Sequence, residues 1–272
     1  MTGEMRRIPL GAVTLNVLVA GEGRPVLLVH GFPDSHRLWR NQVPALVAAG
    51  FKVIAPDMRG FGLSDAPADE AAYRLPLLVG DLVALLDALE IPVCDLVGHN
   101  WGAVVCWHLC FEQPRRVRRY AALSVGHPTA YARAPLVQKL MGWYILFFQL
   151  RGLAEWLLSR DRFRLFGRLT GRPDELRHWI ADLSRPGRFT AALNYYRANI
   201  GLILPQRLPA ASQDVLGVWS SGDFALCEQQ MVRSGDLVAG DFHYHRVDGA
   251  DHWLPLAAPA VVNRLLIDHF AA

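Results

Sequence analysis

The chain of 272 residues is short of charge: 19% of its side chains are Asp, Glu, Lys or Arg, against 52% hydrophobic ones. That balance excludes a disordered polyelectrolyte. A chain of this length buries a sizeable core, either as one large domain or as a core with an inserted lid. The net charge is only +3 and the basic residues are scattered. The densest cluster, Arg115-Arg116-Val117-Arg118-Arg119, lies between a helical stretch and a strand-like one. It reads as a solvated connection, so neither nucleic acid nor a membrane is expected as a partner. Cysteine is scarce as well: Cys94, Cys106, Cys110 and Cys227 show no C-x-x-C spacing and sit in apolar contexts, which suits buried, reduced thiols. The longest apolar run, around Leu140 to Leu150, is too short to cross a bilayer. Val13 to Ala20 is interrupted by Asn16 and runs into Gly-Glu-Gly, a strand and turn rather than a signal peptide. A soluble cytoplasmic protein is expected. The histidines lack ligand spacing and no phosphate-binding loop is present, so no metal or organic cofactor is expected either. Internal repeats and low-complexity segments are absent.

What is present is alternation. Val26 to Val29 and Phe51 to Ala55 are continuous apolar runs, the pattern of strands buried on both faces. Leu75 to Leu89 has helical spacing and is followed by Pro92; Asp95 to His99 is the next strand, Trp101 to Phe111 the next helix and Tyr120 to Val125 a further strand. From about Pro128 to Ser212 the chain is rich in Arg, Trp, Phe and Leu and reads as several helices without a strand. Alternation resumes with Val215 to Trp219, a short helix near Glu228, the strand Phe242 to Val247 and a helix over Ala260 to Phe270. This order predicts an α/β protein with a mostly parallel central sheet and helices on both faces. Residues 1–127 and 213–272 form its core, and residues 128–212 an inserted helical cap.

In an open α/β sheet, ligands bind beyond the carboxyl ends of the strands. Those ends carry His30-Gly31-Phe32-Pro33-Asp34, then Asp57 to Asp65, then Gly98-His99-Asn100-Trp101-Gly102, then Ser220 to Phe224 with Asp223, then Asp248 to Trp253 with His252. The third has the G-x-nucleophile-x-G form of a strand-to-helix elbow, and elbow residue, acid and His follow one another in the order of an α/β-hydrolase. Each piece also has an ordinary explanation. Gly98 and Gly102 can serve close helix–strand packing, Asp223 can be a turn residue and His252 a satisfied loop histidine. Asp251 lies too near His252 in sequence to hold its ring. Joint occurrence at the right strand ends is what favours chemistry. Yet the elbow displays Asn100, and a carboxamide is a poor nucleophile.

These motifs resemble the α/β-hydrolase family over nearly the whole chain, most of all its epoxide hydrolase branch, close to the haloalkane and haloacetate dehalogenases. His30-Gly31-Phe32-Pro33 is similar to the family's oxyanion loop and Asp57 to Asp65 to its D-x-R-G-x-G-x-S-D loop. Gly98 to Gly102 resembles its G-H-D-W-G elbow at every position but the nucleophile. The resemblance implies a carboxylate nucleophile at position 100 that forms an alkyl-enzyme ester, with His252 activating water against it and Asp223 orienting His252. It implies an oxyanion hole from the backbone N–H groups of Phe32 and Trp101, and a cis bond at Phe32-Pro33. For an epoxide it further implies two tyrosines that serve the leaving oxygen. Leu193-Asn194-Tyr195-Tyr196-Arg197 points to Tyr196, and Gly142 to Gln149 to Tyr144, while Tyr195 should face elsewhere. Phe32 stands where many haloalkane dehalogenases have Asn, and Trp101 where haloacetate dehalogenases have Arg, so an epoxide is favoured over a halide. Phe32, Trp101, Tyr144 and Tyr196 are then expected to line the substrate site.

Asn is nearly isosteric with Asp but uncharged, so the chain as written is expected to be inactive or strongly impaired. Three explanations stand open. The first is a deliberate Asp-to-Asn exchange that preserves the pocket. The second is a pseudoenzyme that binds a ligand without converting it. The third is a slow hydrolysis of Asn100 to Asp by the site itself, confined to that peptide and dependent on His252. The aromatic lid suggests an apolar or aromatic epoxide, water is the co-substrate, and a monomer or homodimer is expected.

Overall fold

The computed structural model describes residues 3–272, so the first two residues of the expected core lie outside the described residues. The apolar runs become one eight-stranded sheet: β1 (Glu4–Pro9), β2 (Thr14–Ala20), β3 (Arg24–Val29), β4 (Phe51–Pro56), β5 (Cys94–His99), β6 (Val117–Leu123), β7 (Asp214–Gly222) and β8 (Phe242–Asp251). Their order is β1-β2-β4-β3-β5-β6-β7-β8. β1 and β2 are antiparallel to each other, as are β2 and β4; every later pairing is parallel. Val26 to Val29 and Leu96-Val97 are wholly buried, which requires cover on both sheet faces.

The helices supply that cover. The first part of the chain contributes α1 (Gln42–Ala48), α2 (Leu75–Ala88) and α3 (Trp101–Glu112). Between β6 and β7 no strand intervenes. The chain instead runs through α4 (Pro128–Ala132), α5 (Leu136–Met141), α6 (Trp143–Phe147), α7 (Leu153–Thr170), α8 (Pro173–Leu183) and α9 (Arg188–Arg197). The last part adds α10 (Glu228–Val232), α11 (Leu254–Ala257) and α12 (Pro259–Ala271). α1 packs on β4 and on α12, which packs on β6; α3 packs on β5 and β6, with α2 against it.

The expected strands and helices recur with ends moved by a few residues. β6 begins at Val117 rather than Tyr120, and this corrects the reading of the basic cluster as a solvated connection. Arg118 and Arg119 lie within the strand because each has a carboxylate to meet: Arg118 Nε is 2.8 Å from Asp95 and Arg119 Nε is 3.6 Å from Asp214. Strand β1 has no counterpart in the sequence reading. Its residues are mostly exposed and polar, so no apolar period marks it. All four cysteines are buried and free.

The helices between β6 and β7 are anchored to the core by buried polar bonds. Tyr195 donates its hydroxyl to the Arg59 carbonyl at 2.8 Å, and Asn199 Nδ2 donates to the Tyr73 carbonyl at 2.8 Å. Within the insertion, Arg197 is buried and donates to Glu155 at 2.6 Å and to the Phe148 carbonyl at 2.8 Å. Helix α7 is interrupted at Arg160–Phe163, where the last three of those residues have positive φ.

Candidate active site

The turn from β5 into α3 puts Asn100 at φ 54° and ψ −125°, a conformation that costs energy for a side chain with a Cβ. Packing holds it there. A Cβ on Gly102 would run into the Val29 backbone, and one on Gly31 would meet Asn100 Oδ1 and Trp101 N at 2.5 Å. The ordinary role of these glycines, close approach, is therefore also what presents Asn100. The Phe32–Pro33 bond in the facing loop is cis.

Every polar atom of the Asn100 side chain is engaged. Oδ1 accepts from Phe32 N at 3.0 Å and from Trp101 N at 2.6 Å. Two backbone donors on one atom identify it as the oxygen, so Nδ2 is the atom 2.9 Å from His252 Nε2. An amide nitrogen has only protons to offer, so the ring nitrogen accepts, and the proton of the imidazole sits on Nδ1. That Nδ1 lies 2.8 Å from Asp223 Oδ2, while Asp223 Oδ1 accepts from the backbone of Ala225 at 2.8 Å and Leu226 at 3.0 Å. Burial draws the His252 ring down, but the charge and hydrogen bond of Asp223 outweigh it and leave the ring above its ordinary value. Asp251 faces away and pairs with Arg172 at 2.9 Å.

Two cavities flank Asn100. One, of about 90 Å³, runs along Trp101, Val125 and Leu202; the other, of about 160 Å³, along Phe32, Phe148 and Phe224. Asn100, Tyr144 and Tyr196 line both. The two tyrosine rings meet edge to face with centroids 5.9 Å apart, and Tyr196 lies 5.2 Å from the Trp101 ring. Burial pushes both phenols well above their ordinary range, so they remain hydrogen-bond donors. The structure thus brings together all seven residues selected from the sequence, whereas Tyr195, whose ring meets that of Trp101 at 5.7 Å, lines neither cavity.

Three supporting residues escaped the sequence. His99 Nε2 and Ser124 Oγ both bond the His252 carbonyl, at 2.9 and 3.0 Å, and so fix the loop after β8 to the ends of β5 and β6. Burial keeps His99 far below its ordinary value and hence neutral, with the proton on the bonding nitrogen. Asp34 receives the indole N–H of Trp179 on one oxygen and of Trp253 on the other, each at 2.9 Å. Burial pushes its carboxyl up to about 7 against those two donors. No local signal marks this link, because the partners lie far along the chain.

A family profile described as alpha/beta hydrolase fold matches residues 24–256. The chain is 32% identical over 270 residues to the AB hydrolase superfamily protein YfhM of Bacillus subtilis, covering 94% of each. It is 33% identical over 311 residues to epoxide hydrolase A of Mycobacterium tuberculosis, covering 97% of this chain and 96% of that one. The crystal structure of epoxide hydrolase A from Mycobacterium thermoresistibile superposes with a TM-score of 0.86 at 32% identity, covering 100% of this chain and 99% of that one. The chain belongs to the alpha/beta hydrolase family, with epoxide hydrolases among its relatives.

Proposed function

We propose that the site is that of an epoxide hydrolase whose nucleophile position is occupied by Asn100, with the helices between β6 and β7 as its cap. One observation carries this: the Asn100 side chain lies between two oxyanion-type amides and the His252 ring, facing the cavity walls that carry Tyr144 and Tyr196. With a carboxylate at position 100, one oxygen would attack an epoxide carbon. The C–O bond opens, and the ring oxygen leaves as an alkoxide that takes its proton from a tyrosine. In the resulting ester, His252 removes a proton from water, which attacks the carbonyl carbon. The oxyanion is met by Phe32 N and Trp101 N; on collapse the ester C–O bond breaks, the departing oxygen takes the proton held by His252 to give the diol, and the second proton of the water returns to the tyrosine as the carboxylate re-forms. Asn100 stops this sequence at its first step.

The apolar and aromatic walls support an apolar or aromatic epoxide. A haloalkane or haloacetate is less well served, because Phe32 and Trp101 offer neither an amide for halide nor a guanidinium for a carboxylate. A ligand-binding role without chemistry accounts for Asn100, yet needs neither an oriented base nor the acid that orients it.

The test is diol formation from a panel of epoxides by this protein and its Asn100→Asp variant, with halide release from haloalkanes and haloacetate alongside. Losing the nucleophile of a serine hydrolase costs roughly a million-fold in kcat, so a gain of several orders of magnitude is expected for the variant on epoxides. The Asn100 peptide is followed by mass spectrometry in the same samples. A mass gain there that is absent from a His252→Ala protein would identify self-hydrolysis as the source of any slow activity. If neither form converts any epoxide, the binding role takes precedence; if only halide is released, the dehalogenase does.

A further inference from the structure

The described residues expose seventeen large hydrophobic side chains, and ten of them fall within residues 136–169. Scattered exposed apolar residues are normal, but a concentrated set marks a surface that meets something. Leu136, Leu140 and Trp143 recur at helical spacing across α5 and α6, and Leu146, Leu150 and Trp156 follow along the chain into α7; each is 49–68% exposed. This face is continuous with the active-site opening. Met141, Trp143 and Leu169 line the same cavity as His252.

The charge of the segment points to the occupant. Residues 133–169 hold seven basic and two acidic side chains, whereas the rest of the chain holds two more acidic than basic ones. All of the net positive charge therefore falls in the stretch of chain that carries the exposed apolar residues. Of the seven, Arg151 pairs with Glu70; among the described residues, Arg133, Lys139, Arg160, Arg162, Arg164 and Arg168 have no carboxylate partner. The Arg160 guanidinium lies over the Trp156 ring at 5.1 Å, an aromatic–cation pairing suited to a headgroup boundary. A second copy docked face to face would set these cations against each other. No described helix is long and apolar enough to cross a membrane, so the contact is one of lying on a surface.

Against the expectation that no membrane is a partner, we infer that the exposed apolar residues of α5, α6 and α7 dock on an anionic lipid surface, placing the opening of the aromatic cavity against the lipid. The docking stands apart from the epoxide proposal. Only its consequence, entry of an apolar substrate from the lipid side, rests on that proposal, and binding is measured without turnover, so the two fail separately.

The test is co-sedimentation of the full chain with vesicles of phosphatidylcholine alone or mixed with phosphatidylglycerol. Binding is expected to the mixed vesicles, weaker to the neutral ones, and reduced by salt. The double variant Leu140→Glu/Leu146→Glu should weaken binding at least about tenfold, and Arg164→Glu/Arg168→Glu about as much at low salt. Leu77→Glu, at an exposed position on α2, should change nothing. Melting temperatures confirm that the variants fold. Absence of binding to anionic vesicles would overturn the inference, as would equal binding by all variants. A dimer in sedimentation velocity that the Leu140/Leu146 variant dissociates would assign the face to a second copy instead.

Discussion

At the scale of the residue, Asn100 satisfies its surroundings better than a carboxylate at the same position would. It presents an oxygen to two N–H groups and an N–H to the free lone pair of His252. An aspartate there would set a second oxygen against that lone pair, a repulsion relieved when the ring takes a proton. Asn100→Asp should therefore raise His252 further above its ordinary value of 6.5. Water activation needs the neutral ring, and in the ester position 100 is as uncharged as Asn100, so activity should be lost as pH falls through the value that Asp223 raises. The kcat–pH profile of Asn100→Asp should show an acid limb with its midpoint above 6.5; a midpoint below that would mean that His252 is not the base. Much of this residue-level design was legible in advance. Asn100, Asp223 and His252 each follow a strand and each stands in a short motif. The state of the imidazole was not, because it depends on which atom of Asn100 faces which neighbour.

Elements explain what the sequence left dark. Buried parallel strands announce themselves by unbroken apolar runs, so β3, β4 and β5 were readable. β1 was not, since its backbone pairs with β2 while all of its side chains but Ile8 are largely exposed. The junction between α8 and the sheet was equally silent. It rests on Asp34, which joins Trp179 of α8 to Trp253 beside His252, and residues so far apart in sequence share no local pattern. Asp34→Asn would present an amide N–H to one of the two indole N–H groups. Leaving one buried donor unsatisfied should cost about 1–3 kcal/mol, read from urea unfolding, and should speed proteolysis within residues 128–203. Unchanged stability and cleavage would show that α8 is held by apolar packing alone.

For the molecule as a whole, the two cavities matter together. Both are bordered by Asn100, Tyr144 and Tyr196, and otherwise they have different walls. An epoxide with an apolar group on each ring carbon should therefore be preferred by Asn100→Asp over one substituted at a single carbon. Each added methylene should raise kcat/KM about fourfold until its cavity fills, from the roughly 0.8 kcal/mol gained on burying it. A series of terminal and internal epoxides of matched length checks this, and equal rates across the two sets would count against it. The placement of the groups has a wider consequence. Asn100, Asp223, His252 and the oxyanion amides all hang from the sheet, whereas both tyrosines arrive on the helices between β6 and β7. In the chemistry proposed, the sheet hydrolyses an ester and the inserted helices serve the group that leaves. The two duties are carried by separable stretches of chain. On that proposal, exchanging the helices between β6 and β7 in Asn100→Asp should redirect the protein to a different bond while leaving its water-activating half untouched.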